Sequence, residues 1–347
     1  MASAFRQNPD RGGCKKLQWL QLDDDIPLSE KSSSSTHSAS NLRSSEPLTT
    51  LSESDLNIKE TIEYTSVPSK WFECFLMEGR QVPRNVPSAW EPVDEQAWKS
   101  SRLLHELWWA INDKRLYYSP VHRPQLVADI GCGTCTWSMD FAALNPGSRV
   151  IAVDKSPFMP TYVEPNVETL LGDLCLDIPF NEGTADLVFL RQFVWCNDLG
   201  GVFRNVGQLL KPGGWIEFTL VKPKALPKHQ AWCHWERQTL EVTRRTSRLF
   251  PAFAIVKQLI QDAGFSGIRS VIKSQTLSEC GLSLTDLRDF DVRGQIMLPL
   301  HEGLESPMAE IELLAMSMKR ELLEDMEFES FTVYAQKFLE TITGTVP

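Results

Sequence analysis

Val127-Ala128-Asp129-Ile130-Gly131-Cys132-Gly133-Thr134-Cys135 carries an apolar run straight into a turn built on two glycines. The run predicts a buried strand. Glycines at 131 and 133 let the backbone turn tightly and approach a ligand with no Cβ in the way. A helix over 137–144 is expected next, with its free N–H groups directed back at the turn. A Gly-x-Gly alone is a weak signal, so its weight depends on what lies at set distances from it.

Moving outward, short apolar runs alternate with helical stretches, the mark of a parallel sheet with crossover helices. Strands are expected over 126–130, 149–153, 169–171, 186–190 and 215–221. Helices are expected over 199–210 and 231–264, with another strand at 268–274. Residues 283–326 interleave leucine, methionine and acids in a helical manner. Phe331-Thr332-Val333-Tyr334-Ala335 is β-branched and aromatic, and reads as a last strand. If that strand returns to the sheet, 280–326 is a helical insertion within a domain spanning 121–340. On the other side, 94–118 has apolar positions at helical spacing and Asp94 as an N-cap. It follows a loop marked by Pro83, Pro87 and Pro92, so 61–120 reads as a loop and helix packed on the core. Residues 1–60 are polar and serine-rich without an apolar period, and are expected to be disordered.

Composition narrows the class. The 347 residues carry a net charge of −10, with nine Asp or Glu and only Lys319 and Arg320 between 301 and 329. A broad phosphate-attracting field is missing, so direct nucleic-acid binding is not expected. No run of about 18 uncharged apolar residues suggests a membrane span. The N-terminus lacks a secretory pattern, and eight scattered cysteines read as reduced thiols. An intracellular protein is expected, in the cytoplasm or the nucleus.

The spacing of the acids sharpens the chemistry. Asp154 closes the second strand 21 residues after Gly133. In nucleoside-binding sheets of the Rossmann type, an acid there accepts hydrogen bonds from ribose hydroxyls. Asp173, in Leu171-Gly172-Asp173-Leu174, is placed to meet an adenine amino group, or simply to form a turn. Leu210-Lys211-Pro212-Gly213-Gly214-Trp215 stops one helix and launches a strand. A nicotinamide fingerprint would need a third glycine where Thr136 stands. Cys132 and Cys135 also make a Cys-x-x-Cys at a helix start, a pattern used elsewhere in thiol redox chemistry. No second pair completes a zinc set.

Together, the run from Asp129 to Cys135, Asp154, Asp173 and Leu210 to Gly214 resemble the motifs of class I S-adenosylmethionine-dependent methyltransferases. The chain is more closely similar to the fungal LaeA-like methyltransferases, through Asp94-Glu95-Gln96, Leu116-Tyr117-Tyr118-Ser119-Pro120, Asp154-Lys155-Ser156-Pro157, Val163-Glu164-Pro165-Asn166, Leu187-Val188-Phe189-Leu190-Arg191 and Trp215-Ile216-Glu217. The resemblance implies an α/β, Rossmann-like class I methyltransferase sheet with an N-terminal helical extension and a helical insertion before the last strand. It implies that Asp129, Gly131 and Gly133 hold the methionine part of S-adenosylmethionine, with Cys132 among the cofactor-binding residues, and Asp154 the ribose. Asp173 and Leu174 would flank the adenine, and Arg191 would sit beside the methyl-transfer site. The family usually has a third glycine where this chain has Cys135, whose Cβ is expected to confine φ to negative values.

Methyl transfer is an in-line displacement, so the protein mainly aligns nucleophile and methyl. A base is needed only if the acceptor must lose a proton, and no metal is required. Catalytic residues are therefore not assigned. His229, His234, Tyr117, Tyr118 and His122 are candidate bases, although packing or a surface position is the ordinary role of such residues. Lys222, Lys224 and Lys228 would steer an anionic acceptor or form a solvated loop. Trp195, Trp232 and Trp235 would line an aromatic cavity or the core. Met297, Met308, Met316 and Met318 would form the apolar wall of a lid, or pack inside. The resemblance implies methylation of a small molecule in fungal secondary metabolism. The alternative is a nuclear regulator acting with velvet-type partners, by protein methylation or as a scaffold. Binding of the cofactor without turnover is a third reading.

Overall fold

The computed structural model describes residues 67–86, 90–175, 180–283, 285–322 and 326–338. The serine-rich stretch 1–60 lies outside the described residues.

The chain first forms a hairpin of β1 (Cys74–Met77) and β2 (Arg80–Pro83). Its two-residue turn, Glu78-Gly79, holds φ at 48° and 79°, the left-handed geometry that matches the twist of tight hairpins. This hairpin replaces the loop expected there. Helix α1 (Glu95–Ile111) begins as the sequence suggests, with the Asp94 carboxylate accepting from the Ala97 N–H at 3.1 Å. It stops seven residues before the expected 118. Asn112 donates its amide to the Trp108 carbonyl at 2.7 Å, and Asp113 and Lys114 adopt φ of 54° and 58°. Polar residues of this kind favour such local exits over another helical turn. Leu116 still reaches the core, which is why its spacing read as helix.

The main sheet has seven strands in the order β5-β4-β3-β6-β7-β9-β8. Strands β3 (Leu126–Ile130), β4 (Arg149–Asp154), β5 (Val167–Leu171), β6 (Ala185–Arg191) and β7 (Leu210–Pro223) run parallel. The last strand, β9 (Glu327–Gln336), is antiparallel to β7 on one side and to β8 (Ser266–Thr276) on the other. Crossovers are made by α2 (Thr136–Leu144), α3 (Leu199–Leu209), α4 (Gln230–Thr246) and α5 (Phe253–Asp262). Two further helices, α6 (Val292–Leu304) and α7 (Met308–Leu322), lie between β8 and β9 in the chain. This is a Rossmann-like class I methyltransferase sheet with an N-terminal helix and a helical insertion before the last strand.

Two details depart from expectation. The single helix expected over 231–264 is two, because Ser247 turns left-handed at φ 60° and Pro251 follows. The Lys-Pro-Gly-Gly turn lies within β7, where pairing with β6 jumps from Leu210 to Trp215 and bulges the residues between. A Cβ on Gly214 would come within 3.0 Å of the Ala185 and Lys211 carbonyl oxygens, so the bulge requires glycine there.

The core fills both faces of the sheet. On one face Trp137 stacks on Phe189 with ring centres 3.9 Å apart. On the other, Phe203 from α3 meets Phe218 of β7 edge to face. Met297 and Met318 are wholly buried in the first layer, Met308 packs against it, and Met316 is exposed. Met297, Met308 and Met318 therefore take the packing role, one of the two readings open from sequence, while Met316 faces solvent. Helix α6 is apolar nearly all round, a pattern that belongs inside a protein.

Candidate functional site

A cavity of about 930 Å³ opens at the carboxyl ends of β3, β4, β5 and β6, where open α/β sheets bind their ligands. Asp129, Gly131, Cys132, Gly133, Asp154, Asp173, Leu174 and Arg191 all line it. Gly131 holds φ at 73°, and a Cβ there would run into the Phe193 ring at 2.6 Å. Gly133 has φ 52° with open space around it, so only its backbone angle calls for glycine.

Asp154 is fixed from two sides. The Gly133 N–H donates to one carboxylate oxygen at 2.9 Å, and the Ser156 N–H to the other at 2.8 Å. A carboxylate has about four acceptor positions, so this clamp leaves capacity for hydroxyl donors from a ligand. Asp173 caps its own turn by accepting from the Cys175 N–H at 2.9 Å. Leu174 is buried, and its carbonyl receives the Asn205 amide at 2.6 Å.

Asp129 is buried and accepts the Ser138 hydroxyl at 2.6 Å; loss of water raises its carboxyl to about 6. Near it, burial lowers the Arg191 guanidinium to about 10, while Asp129 and Asp140 favour its charge. Arg191 donates to Nδ1 of His105 at 2.5 Å, and Nε2 of His105 lies 2.8 Å from the Asp140 carboxylate. Burial, and then the Arg191 charge, push His105 down to about 4. The ring is neutral near pH 7, and the hydrogen-bond partners assign its proton to Nε2. The Arg191 guanidinium also lies 5.2 Å from the Trp108 ring centre. This relay fastens α1 and α2 to the end of β6. Sequence reasoning found Arg191 but missed His105 and Asp140, which no spacing in the chain connects.

Cys135 does not follow its expectation. It takes φ 55°, a left-handed backbone that favours glycine, at a cost of roughly 1–2 kcal/mol. Its side chain is buried with Sγ 3.5 Å from that of Cys132, and it does not line the cavity.

Beyond the cofactor motifs the cavity is aromatic. Trp195, Trp232 and Trp235 line it, joined by Trp90 and Phe250. Trp195 is held at φ 58°, with ring centres 5.5 Å from Trp90, 5.4 Å from Phe250 and 5.9 Å from Trp235. Lys222 reaches the cavity and pairs with Glu236 at 2.8 Å. Lys224 and Lys228 do not line it. His229 is buried, and its Nδ1 accepts the Leu226 N–H at 3.0 Å. His234, Tyr117 and Tyr118 lie off the cavity, while His122 borders a separate small one. Candidate bases are thus not gathered where the ligand residues are.

The rim is tied by a buried ion cluster. Arg80 donates to Asp94 at 2.7 Å and to Asp291 at 2.6 Å. Asp291 also caps α6 through the Gly294 N–H. One guanidinium thus joins the hairpin, the start of α1 and the start of α6. Among the described residues, no group of three or more His, Cys, Asp or Glu side chains is placed to hold a metal, and no helix is long and apolar enough to cross a membrane.

A family model described as a methyltransferase domain matches residues 127–214. The chain is 26% identical over 196 residues to the secondary metabolism regulator LAE1 of Cochliobolus heterostrophus, covering 52% of this chain and 63% of that protein. It is 27% identical over 190 residues to the protein-methionine methyltransferase laeA of Emericella nidulans, covering 51% and 50%. The matches therefore span less than two thirds of these relatives' own lengths. Phosphoethanolamine N-methyltransferase 2 of Haemonchus contortus, solved in complex with S-adenosyl-L-methionine, shares 16% identity with a TM-score of 0.44, over 70% of this chain and 56% of that one.

Proposed function

We propose that this chain is an S-adenosylmethionine-dependent methyltransferase whose acceptor is a small, largely apolar molecule. The observation that carries the reading is the pairing of a left-handed glycine turn with Asp154, locked by the backbone of that same turn. The residues present suit the cofactor. Gly131 and Gly133 open the backbone, Asp129 would offer a carboxylate to its ammonium, Asp154 would accept from its ribose hydroxyls, and Asp173 with Leu174 would border its adenine. When bound, the sulfonium supplies an activated methyl with its own leaving group. The protein's share of the chemistry is then alignment and exclusion of water. The His105–Arg191 relay holds the wall beside Asp129, and Trp195, Trp232 and Trp235 give an acceptor an apolar bed. A volume of about 930 Å³ sits at the upper end of the roughly 300–1,000 Å³ of ligand sites, which suits two molecules side by side.

The finer assignment places the acceptor among fungal secondary metabolites, supported by the names of the LAE1 and laeA relatives. Those names also support a second reading, a regulator that methylates or docks with a protein partner of the velvet type. Purified chain incubated with methyl-labelled cofactor and a fungal metabolite extract separates them. Label on small molecules upholds the first reading, and label on protein alone upholds the second. Cofactor binding with no label transferred reduces the chain to a binder, and no binding removes the proposal.

A further inference from the structure

Two cysteines outside the Cys-x-x-Cys motif meet at the cavity. Cys175 follows Asp173 and Leu174 at the end of β5, and Cys196 follows Trp195 beyond β6. Both line the cavity, and their sulfurs lie 3.3 Å apart. Neither position is free to drift. The Cys175 N–H is held by Asp173. The backbone at Cys196 is clamped to Leu249, with Trp195 N–H to Leu249 O at 2.7 Å and Leu249 N–H to Cys196 O at 2.9 Å.

We infer that Cys175 and Cys196 are a redox-modifiable dithiol, closed to a disulfide by low-molecular-weight disulfides such as glutathione disulfide. Cys196 is the attacking sulfur. It sits just ahead of α3, whose N-terminal end favours an anion. The Cys175 thiol and the Asp198 N–H both donate to it and hold its thiol below the ordinary value. Of the charges facing the pair, Asp173 opposes a thiolate and Lys155 supports it. Cys132 is the contrast, since burial pushes its thiol up. The chemistry balances with the named oxidant. Cys196 thiolate attacks glutathione disulfide, forming a mixed disulfide and releasing glutathione thiolate, which takes the Cys175 proton. Cys175 then attacks the Cys196 sulfur and releases a second glutathione. Two electrons pass from the protein thiols to the oxidant.

Closure shortens the sulfur separation from 3.3 Å to about 2.05 Å and ties the loop after β5 to the loop after β6. Asp173 and Leu174 move with Cys175. On the reading that they border the adenine, oxidation weakens cofactor binding.

The full chain, incubated with glutathione disulfide, alkylated and mapped by mass spectrometry, should yield a peptide linking Cys175 to Cys196. Cys132 should stay alkylated. The link should vanish on reduction, and in Cys175→Ser and Cys196→Ser chains, with the alanine variants as a check on folding. Calorimetry with S-adenosylhomocysteine should show at least fivefold weaker binding after oxidation, restored by reduction and absent in Cys196→Ser. A Cys132–Cys135 link, or stable glutathionylation without closure, overturns the dithiol. An oxidised chain with unchanged affinity overturns its tie to the cofactor. A linked chain that binds no cofactor even when reduced overturns the functional reading and leaves the disulfide standing.

Discussion

Asp154 and Asp129 face the same cavity but are held by different means, and they fail differently when altered. Asp154 has both oxygens anchored by backbone N–H groups, so its role is geometric. Asp154→Ala is expected to weaken binding of S-adenosylhomocysteine by about 1.5–3 kcal/mol, the scale of charged hydrogen bonds. Calorimetry that finds an unchanged dissociation constant would take Asp154 out of the site. Asp129 has one hydroxyl partner and a carboxyl raised to about 6. An ammonium bound beside it favours the ionised form, so affinity should be full above pH 6. Below that it should decline by up to about tenfold per pH unit as protons compete. Titrations at pH 5 and pH 7.5 check the sign, and Asp129→Asn should flatten the difference. Both acids were legible from sequence because each sits at a fixed distance from the glycines. The left-handed φ of Cys135 was not legible, since intrinsic preference argues against it and only the surrounding turn enforces it.

Among the elements, the parallel strands were readable because each is a short apolar run between turns, and β3, β4 and β6 lie close to where that pattern placed them. The first hairpin gave no such signal. Its strands have four residues each, one ends in Pro83, and neither is long enough to show alternation. What secures the hairpin is Arg80, buried against Asp94 and Asp291 from two separate helix starts. Replacing it strands two carboxylates with little water. Arg80→Met should cost about 3–5 kcal/mol, the penalty of breaking a buried ion cluster from one side. Urea denaturation measures this, and a loss below about 1 kcal/mol would mean that solvent reaches the pair as it does a surface salt bridge. The early end of α1 escaped notice for a related reason. Leu116 keeps the helical spacing, while the exit is decided by Asn112 reaching back to Trp108 and across to Ser330 on β9.

Across the whole molecule, buried ionisable groups set opposing responses to pH. Glu217 on β7 accepts the N–H groups of Tyr118 and Ser119 and the Ser119 hydroxyl, and burial raises its carboxyl from 4.5 to about 7. Between those values the native chain keeps a proton that the unfolded chain has released, so this group lowers stability as pH rises from 4.5 to 7. His105 acts in the other direction. Held at about 4 against an ordinary 6.5, it lowers stability as pH falls from 6.5 to 4, because the unfolded chain takes up the proton first. Glu217→Gln removes the first effect. Its stability relative to the parent should improve by on the order of 2–3 kcal/mol between pH 4.5 and pH 8, read from urea midpoints. A constant gap would show that Glu217 titrates normally. The residues behind these effects come together only through the fold: His105, Asp140 and Arg191 belong to α1, α2 and β6. That is why the cofactor motifs were visible in the chain and their supports were not.

The placing of β9 between β7 and β8 has a consequence for how the chain matures. Its partners are made long before it, and until residue 336 has left the ribosome each of them offers a bare edge to solvent. The sheet cannot close until β9 has been made. Edges of that kind recruit other strands, and contacts so distant in sequence form slowly. The interval between translation of β8 and arrival of the last ten-residue strand is thus when a newborn chain is most exposed to aggregation and has most need of a chaperone.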